Sequence, residues 1–307
     1  VGVEPKNVGV ENYLNQKFNL KWLKEKNLTI APNGALFRRD IQGFLPELMK
    51  KNYDARVIFK KKMIKAKQEY EKTKDPIYKK EISRCHNIQM AKKISLNSAY
   101  GAIGNQYFRY FEKNQAEAIT MGGQLTIRWV EKDINKFMNK VLGTDNKNYV
   151  VASDTDSIYL RLDELVQKTC KNKTPQQITD FLDKAAEEKI QKVIDKSFEN
   201  LADYVNAYEQ KMFMKREAIA NKGIWIAKKR YILNMFDEEG VRYEYPKLKV
   251  MGVEAVKSST PEVCRGKIKE AIRVIMNQNE DDLIKFVSDF KTQFKNLSPE
   301  SVAFPRT

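Results

Sequence analysis

Cysteine is scarce in this chain of 307 residues: Cys85, Cys170 and Cys264 lie far apart, with no C-x-x-C pair and a single histidine, His86. Thiols so placed give neither a disulfide framework nor a zinc site, and they suit a reducing compartment. His86 reads as a packed or solvated side chain, since no second ligand stands at metal-binding spacing. Long apolar runs are also missing. Nothing approaches the roughly 18 consecutive apolar residues of a membrane-spanning helix, and Val1-Gly2-Val3-Glu4 begins no basic-then-apolar signal sequence. The expectation is a soluble, cytoplasmic chain without membrane contact. There is no internal repeat or low-complexity segment. With 42% hydrophobic and 31% charged residues, the composition is that of a folded protein, and the length allows about two domains.

What is abundant is positive charge. Fifty-six Lys and Arg against 40 Asp and Glu leave +16, which makes a polyanion, and nucleic acid first of all, the leading partner class. The charge is concentrated: Lys50 to Lys72 carries nine basic and three acidic residues. The absent initiator Met and the ending Phe304-Pro305-Arg306-Thr307 read as a chain cut at both ends.

Along the chain, Ile30 to Phe37 reads as strand, Pro-Asn-Gly turn, strand. Leu45 to about Lys72 reads as one long helix with Pro46 in its first turn, broken by Asp75-Pro76. A second helix runs from about Lys79 to Tyr100 and closes at Gly101, completing a helical hairpin. Residues 114 to 140 form a helix whose core side is Ala116, Ile119, Leu125, Ile127, Trp129, Val130, Ile134 and Phe137. Tyr149 to Ala152 and Ile158 to Leu160 are strands flanking an acidic turn. Residues 175 to 206 are helical, entered through Thr174-Pro175. Strands follow at 211 to 219, which includes a buried Met212-Phe213-Met214, and at 224 to 235, 241 to 245 and 247 to 253. Ser258-Ser259-Thr260-Pro261 caps a helix running to about 277. Trp22, Trp129 and Trp225 read as core or edge packing.

Two local patterns carry chemistry. In Ser153-Asp154-Thr155-Asp156-Ser157, carboxylates at i and i+2 of an extended chain share a face. Such a pair repels itself unless a proton or a divalent ion neutralises it, which suits Mg²⁺; a solvated turn or helix cap is the plainer alternative. In Lys92 to Gly101, the residues Lys93, Asn97, Tyr100 and Gly101 share one helical face. Such a stripe can serve phosphate oxygens and a base, or be merely solvated. Tyr53, Arg56 and Lys60 repeat the pattern on the first long helix, with Arg as a planar fork and Lys as a point charge.

These runs resemble family B replicative DNA polymerases of the phage type. Lys93-Ile94-Ser95-Leu96-Asn97-Ser98-Ala99-Tyr100-Gly101 is similar to the fingers motif, Asp154-Thr155-Asp156-Ser157 to the palm motif, and Lys228-Lys229-Arg230-Tyr231 to the primer-grip motif. The resemblance implies an α+β fold: a polymerase palm of antiparallel sheet and packed helices, an inserted helical-hairpin fingers subdomain, and the start of a helical thumb. It puts the first part of the palm at 1–43, the fingers at 44–104, the catalytic part of the palm at 105–257 and the thumb from 258 to 307. It implies template-directed nucleotidyl transfer to a primer 3′ hydroxyl with two Mg²⁺ ions. Asp154 and Asp156 would be the metal-binding catalytic carboxylates, with Glu217 as a supporting acid. Arg56, Lys60, Lys93 and Asn97 would hold the incoming deoxynucleoside triphosphate. Tyr100 and Gly101 would border the nascent base pair. Lys228, Lys229, Arg230 and Tyr231 would meet primer-template DNA, although by pattern alone they form a solvated strand edge.

One departure stands out. The family's first palm motif, an Asp in a D-x-x-S-L-Y-P-S-type run, is not found between Val1 and Phe44. The 3′–5′ exonuclease domain that the resemblance would place upstream is likewise expected to be absent from this stretch. The expectation is therefore a palm and fingers fragment, inactive alone, whose amino-terminal part is supplied in cis or by a second polypeptide. The complete enzyme would work with a sliding clamp, in the host cytoplasm if phage-encoded. The rival reading is a non-catalytic nucleic-acid-binding module.

Overall fold

A computed structural model describes residues 9–304; expectations about residues 1–8 and 305–307, the chain ends among them, lie outside the described residues. The chain mixes helix with small antiparallel sheets and divides into two compact units, one ending at Arg216 and the other beginning at Glu217.

In the first unit, the short helices α1 (Val10–Leu14) and α2 (Trp22–Glu25) precede the strands β1 (Leu28–Ile30) and β2 (Leu36–Arg38). The strands pair antiparallel around the expected Pro-Asn-Gly turn, where Gly34 takes φ +84° and Asn33 Oδ1 accepts from the Ala35 amide. The long helices α3 (Phe44–Thr73) and α4 (Ile77–Ile103) form a hairpin. Lys74, left-handed at φ +56°, ends α3, its amide donating to the Tyr70 carbonyl. Few hairpin residues are fully buried, chiefly Met63, Ala66, Cys85 and Gln89. Gly101 does not close α4. The helix runs on to Ile103 and is capped at Gly104, because Gly101 keeps helical hydrogen bonding and costs only helix propensity there.

Helix α5 (Lys113–Leu142) is the spine of this unit, ending at Gly143 with φ +65°. Toward its amino end, Leu125 and Trp129 join Tyr13, Leu23, Ile30 and Leu201 in one core; toward its carboxyl end, Val130, Ile134, Met138 and Leu142 join Tyr149, Val150, Ile194 and Phe198 in another. Trp129 stacks on Tyr204, ring centroids 5.7 Å apart. Ile119, expected in the core, is 49% exposed, since in the same turn it is Ala118, at 5%, that faces inward and Ile119 lies on the outer side of the helix. The strands β3 (Val150–Asp154) and β4 (Ser157–Leu160) pair antiparallel and lean on α5. Helix α6 (Asp163–Thr169) follows. Then α7 (Pro175–Ala185) opens on a capping box, Thr174 with Gln177, and continues through a π turn at Ala186–Ile190 into α8 (Gln191–Tyr204), which packs along α5.

The expected strand at 211–219 forms only from Ala218. Met212 and Phe213 are 48% and 71% exposed, because among the described residues no neighbouring strand pairs with 211–217, and β propensity without a partner does not make a strand.

The second unit is a three-stranded antiparallel meander, β5 (Ala218–Ala227), β6 (Arg230–Glu238) and β7 (Val241–Met251), covered by helices. The apolar stretch 224–235, expected as one strand, is split by a tight turn at Lys228-Lys229, where Lys229 has φ +61°. The expected pair at 241–245 and 247–253 is a single strand instead. Pro246 is tolerated because β7 is an edge strand and the register with β6 shifts between Met235 and Asp237, beside it. After a 3₁₀ turn at Glu254–Val256 come α9 (Glu262–Asn277), α10 (Glu280–Phe294) and α11 (Pro299–Val302). Ile272 and Met276 of α9 seal the sheet face through Ile232, Val253 and Ala255. Of the expected capping run Ser258 to Pro261, it is Pro261 that stands at the α9 cap, without a side-chain cap bond. The cysteines are all free, and His86 is exposed. Among the described residues no helix is long and apolar enough to cross a membrane.

Candidate active site

The acidic turn is where the first unit concentrates its chemistry. Asp154 ends β3 and pairs with Ser157 of β4, so Thr155 and Asp156 make a two-residue turn. Thr155 is left-handed at φ +56°, and the Asp156 amide donates to the Asp154 carbonyl at 2.6 Å. The two carboxylates therefore share a turn and not a strand face. The Thr155 hydroxyl donates to Asp154 Oδ1 (3.0 Å) and the Ser157 hydroxyl to the Asp154 carbonyl (3.1 Å), which fixes the half-buried Asp154 while Asp156 is exposed. Just behind the turn, Tyr149 and Val150 are fully packed against α5. A left-handed non-glycine residue held this way stores strain, a common mark of functional turns.

Such carboxylates are the hard oxygen donors that Mg²⁺ takes. Among the described residues, however, no three His, Cys, Asp or Glu side chains gather to hold an ion. The turn fits as one side of a metal site and leaves the remaining ligands to other groups.

On the helical hairpin, Asn52 and Lys92 exchange two 3.4 Å hydrogen bonds between side chain and backbone or side chain and side chain. This register sets Tyr53 and Arg56 of α3 and Lys93 of α4 beside the contact; because the helices are antiparallel, Lys60 lies further toward the hairpin tip, and Asn97, Tyr100 and Gly101 toward the opposite end. Lys93, Asn97, Tyr100 and Gly101 are all exposed, as the stripe reading requires. Open space surrounds the position where a Gly101 Cβ would stand. Arg56 is half-buried, with its Nε sealed off and unpartnered among the described residues. Elsewhere on α3 the basic face is partly neutralised by Lys50–Asp54 and Lys51–Glu47 pairs, both at 2.8 Å.

Tyr100 is tied to α5. Its hydroxyl lies 2.7 Å from Thr120 Oγ1, and Thr120 in turn donates to the Ala116 carbonyl at 3.0 Å. With the threonine proton committed, the tyrosine must donate, which orients the phenol. Nothing in the sequence marked Thr120, since the pairing spans two helices.

In the second unit, Lys228 and Lys229 form the exposed tip of the β5–β6 hairpin. Arg230 is held beneath it: Nε donates to the Gly252 carbonyl (3.2 Å), and the guanidinium pairs with Glu254. Hydrogen bonds from Lys257 and from its own backbone amide, with the nearby Arg230 charge, bring the Glu254 carboxyl down to about 2, so this anchor is charged at all ordinary pH. Tyr231 is buried and stacks on Trp225 at 6.5 Å, supporting the turn from within. Gly252, left-handed at φ +64°, lies directly under the turn; a Cβ there would come within 2.3 Å of the Lys229 carbonyl oxygen. Nothing in the local sequence marks Gly252, since its contact is with a turn more than twenty residues away. Glu217 pairs with Lys249 at 2.7 Å. Asp154, Asp156 and the hairpin residues thus belong to the first unit, and Glu217 and Lys228 to Tyr231 to the second.

Sequence comparison identifies the class of protein that carries the acidic turn, the basic helical hairpin and the lysine-tipped strand turn. Residues 6–303 match the sequence model of DNA polymerase family B, and the chain belongs to that family. It is 40% identical over 225 residues to the DNA-directed DNA polymerase of Escherichia phage RB69, covering 70% of this chain and 25% of that protein. It is 37% identical over 229 residues to the DNA-directed DNA polymerase of Enterobacteria phage T4, covering 71% of this chain and 26% of that protein. A DNA polymerase of Pyrococcus glycovorans is 30% identical over 258 residues, covering 82% of this chain and 26% of that protein. The chain spans about a quarter of the length of these curated relatives.

Proposed function

We propose that this chain is the palm and fingers portion of a DNA-directed DNA polymerase, contributing template-directed addition of deoxynucleotides to a primer within a larger active enzyme. The observation that carries the reading is the Asp154-Thr155-Asp156 turn, strained and fixed on the α5 core, in a chain of DNA polymerase family B. In this reading 44–104 is the fingers, 1–43 and 105–257 are palm, and 258–307 begins the thumb. Mg²⁺ bound at Asp154 and Asp156 would neutralise triphosphate charge and favour ionisation of the primer hydroxyl. Arg56 would grip phosphate oxygens with its planar fork, Lys60 and Lys93 would add point charges, and Asn97 would hydrogen-bond beside them. The Tyr100 ring, oriented by Thr120, would lie against the nascent base pair, with Gly101 leaving room for it. Lys228 and Lys229 would meet primer-template phosphates, with Arg230 and Tyr231 bracing the turn and Glu217 as an accessory acid. DNA and deoxynucleoside triphosphates are the substrates, and the host cytoplasm is the place of action.

Because Asp154 and Asp156 supply one side of the two-metal clamp, the 307-residue polypeptide alone should synthesise little DNA. The test is Mg²⁺-dependent primer extension by the chain alone and mixed with a polypeptide ending just after a first palm motif. The expected result is synthesis in the mixture only, abolished by Asp154→Asn. Synthesis by the chain alone would refute the incomplete-site reading. Binding to primer-template that the matching triphosphate and Mg²⁺ leave unchanged would refute the polymerase reading in favour of a passive binder.

A further inference from the structure

Several cations of the second unit are held by acids: Arg230 and Lys257 pair with Glu254, Arg242 with Asp237, Lys247 with Glu238, Lys249 with Glu217 and, on helix α9, Lys267 with Glu270. Three other cations of α9 line up along one face. Arg265, Lys269 and Arg273 recur every fourth residue, so they form one stripe with successive members about 6 Å apart along the axis. None of the three has an acidic partner among the described residues. Like charges at this spacing repel one another along the helix unless an anion lies between them.

Lys269 and Arg273 border a cleft of about 460 Å³ that lies between α9 and β7. Its lining combines the polar side chains of Asn234, Lys247 and Asn277 with the apolar ones of Leu248, Val250 and Val256 and contains no carboxylate. Leu248 and Val250 rest on the core sealed by α9, so the floor is rigid. Its volume falls in the range of small-molecule sites.

We infer that this cleft and stripe bind a phosphorylated nucleoside unit of a single nucleic-acid strand: phosphates along Arg265, Lys269 and Arg273, sugar and base on the Leu248–Val250–Val256 floor. A row of cations favours an extended polyanion over one compact phosphate, and an apolar floor serves a base or sugar as it would not serve a glutamate-rich peptide. This surface is separate from the Lys228-Lys229 turn and does not require that the chain polymerise.

The test is fluorescence anisotropy of a labelled dT strand of about ten nucleotides on the full chain and on the doubly substituted Lys269→Gln, Arg273→Gln chain. Both side chains are exposed, so folding is retained, as circular dichroism checks. Each lost phosphate contact lowers the salt slope by about 0.7, so the variant's slope should fall by about 1.4, and its disadvantage should shrink about sevenfold between 50 and 200 mM salt. Photocrosslinks from 5-iodouracil in the strand should map to 246–256 and 265–277. An unchanged slope with no crosslinks there overturns the inference. So does dTMP bound as tightly as the strand, which would mean a free-nucleotide site, or polyglutamate displaced by the substitutions while dT binding is unaffected, which would mean an acidic protein partner. Triphosphate-stimulated primer-template binding, measured on the same two proteins, reports separately on the polymerase reading.

Discussion

Replacing Tyr13 with phenylalanine removes one oxygen atom from the middle of a core. Tyr13 has no exposed surface, lies 5.0 Å from the Phe18 ring and packs with Leu23, Trp129 and Leu201. Its hydroxyl is buried without a hydrogen-bond partner among the described residues. Burial, aided by the neighbouring Tyr204, pushes the phenol up to about 12. A buried unsatisfied hydroxyl costs roughly 1–3 kcal/mol, so Tyr13→Phe should stabilise the first unit by about that much at pH 8. The pH dependence adds a signature. The folded state holds this proton more tightly than the unfolded chain, whose phenol titrates near 10. The contribution is therefore intact below pH 10, falls as pH rises and is exhausted above about 12. At pH 11 the loss is about 1.4 kcal/mol, one unit of differential protonation. Urea unfolding of both proteins at pH 8 and pH 11, followed by tryptophan fluorescence, measures each number. The variant's advantage should grow by about 1.4 kcal/mol between the two conditions. A variant less stable than the parent at pH 8, or an advantage that does not change with pH, would refute the reasoning, because either result requires a partner for the hydroxyl.

Gly252→Ala should destabilise the second unit by roughly 2–4 kcal/mol, from the left-handed backbone and the collision with the Lys229 carbonyl, and weaken primer-template binding through the displaced turn; normal urea stability with normal binding would show that the turn accommodates a Cβ. The half-buried Glu238 has its carboxyl lowered: burial raises it, but the Lys247 hydrogen bond and charge, with help from Tyr243, outweigh that. Its stabilisation is therefore present above the unfolded carboxylate range near 4.5 and lost as pH falls below it. Glu238→Gln should cost about 1–2 kcal/mol at pH 7 and progressively less as pH falls below the carboxylate range, so equal costs at pH 7 and pH 3 in denaturant titrations would remove the ion pair from the account.

Much of the architecture is written in short-range patterns. Helix-favouring composition, 3.6-residue periodicity and the breaker Asp75-Pro76 give the α3–α4 hairpin to within about three residues at each helix end, Pro32-Asn33-Gly34 gives the first turn, and the apolar flanks of Ser153 to Ser157 give the acidic hairpin. Motif, spacing and charge likewise made the family resemblance legible, because the residues that touch a shared substrate cluster in contiguous runs. Strands were read less well. A strand exists only where a second strand accepts its hydrogen bonds, and sequence alone could not show that 211–217 lacks one or that Lys228-Lys229 folds β5 back on β6.

Partnership is what tertiary structure decided. Four side chains of similar promise in Lys228-Lys229-Arg230-Tyr231 became two exposed lysines, an arginine locked to Glu254 and a tyrosine stacked on Trp225. Tyr100 gained its orientation from Thr120 on another helix, and Gly252 gained its importance from a carbonyl 2.3 Å from the Cβ it lacks. The physical reason is range. Helix periodicity, turn chemistry and net charge depend on neighbours within a few residues and can be read from the chain. The partner of a buried hydroxyl, the acid that holds an arginine and the cleft beside Lys269 and Arg273 depend on contacts between segments far apart in sequence, which only the packed fold brings together.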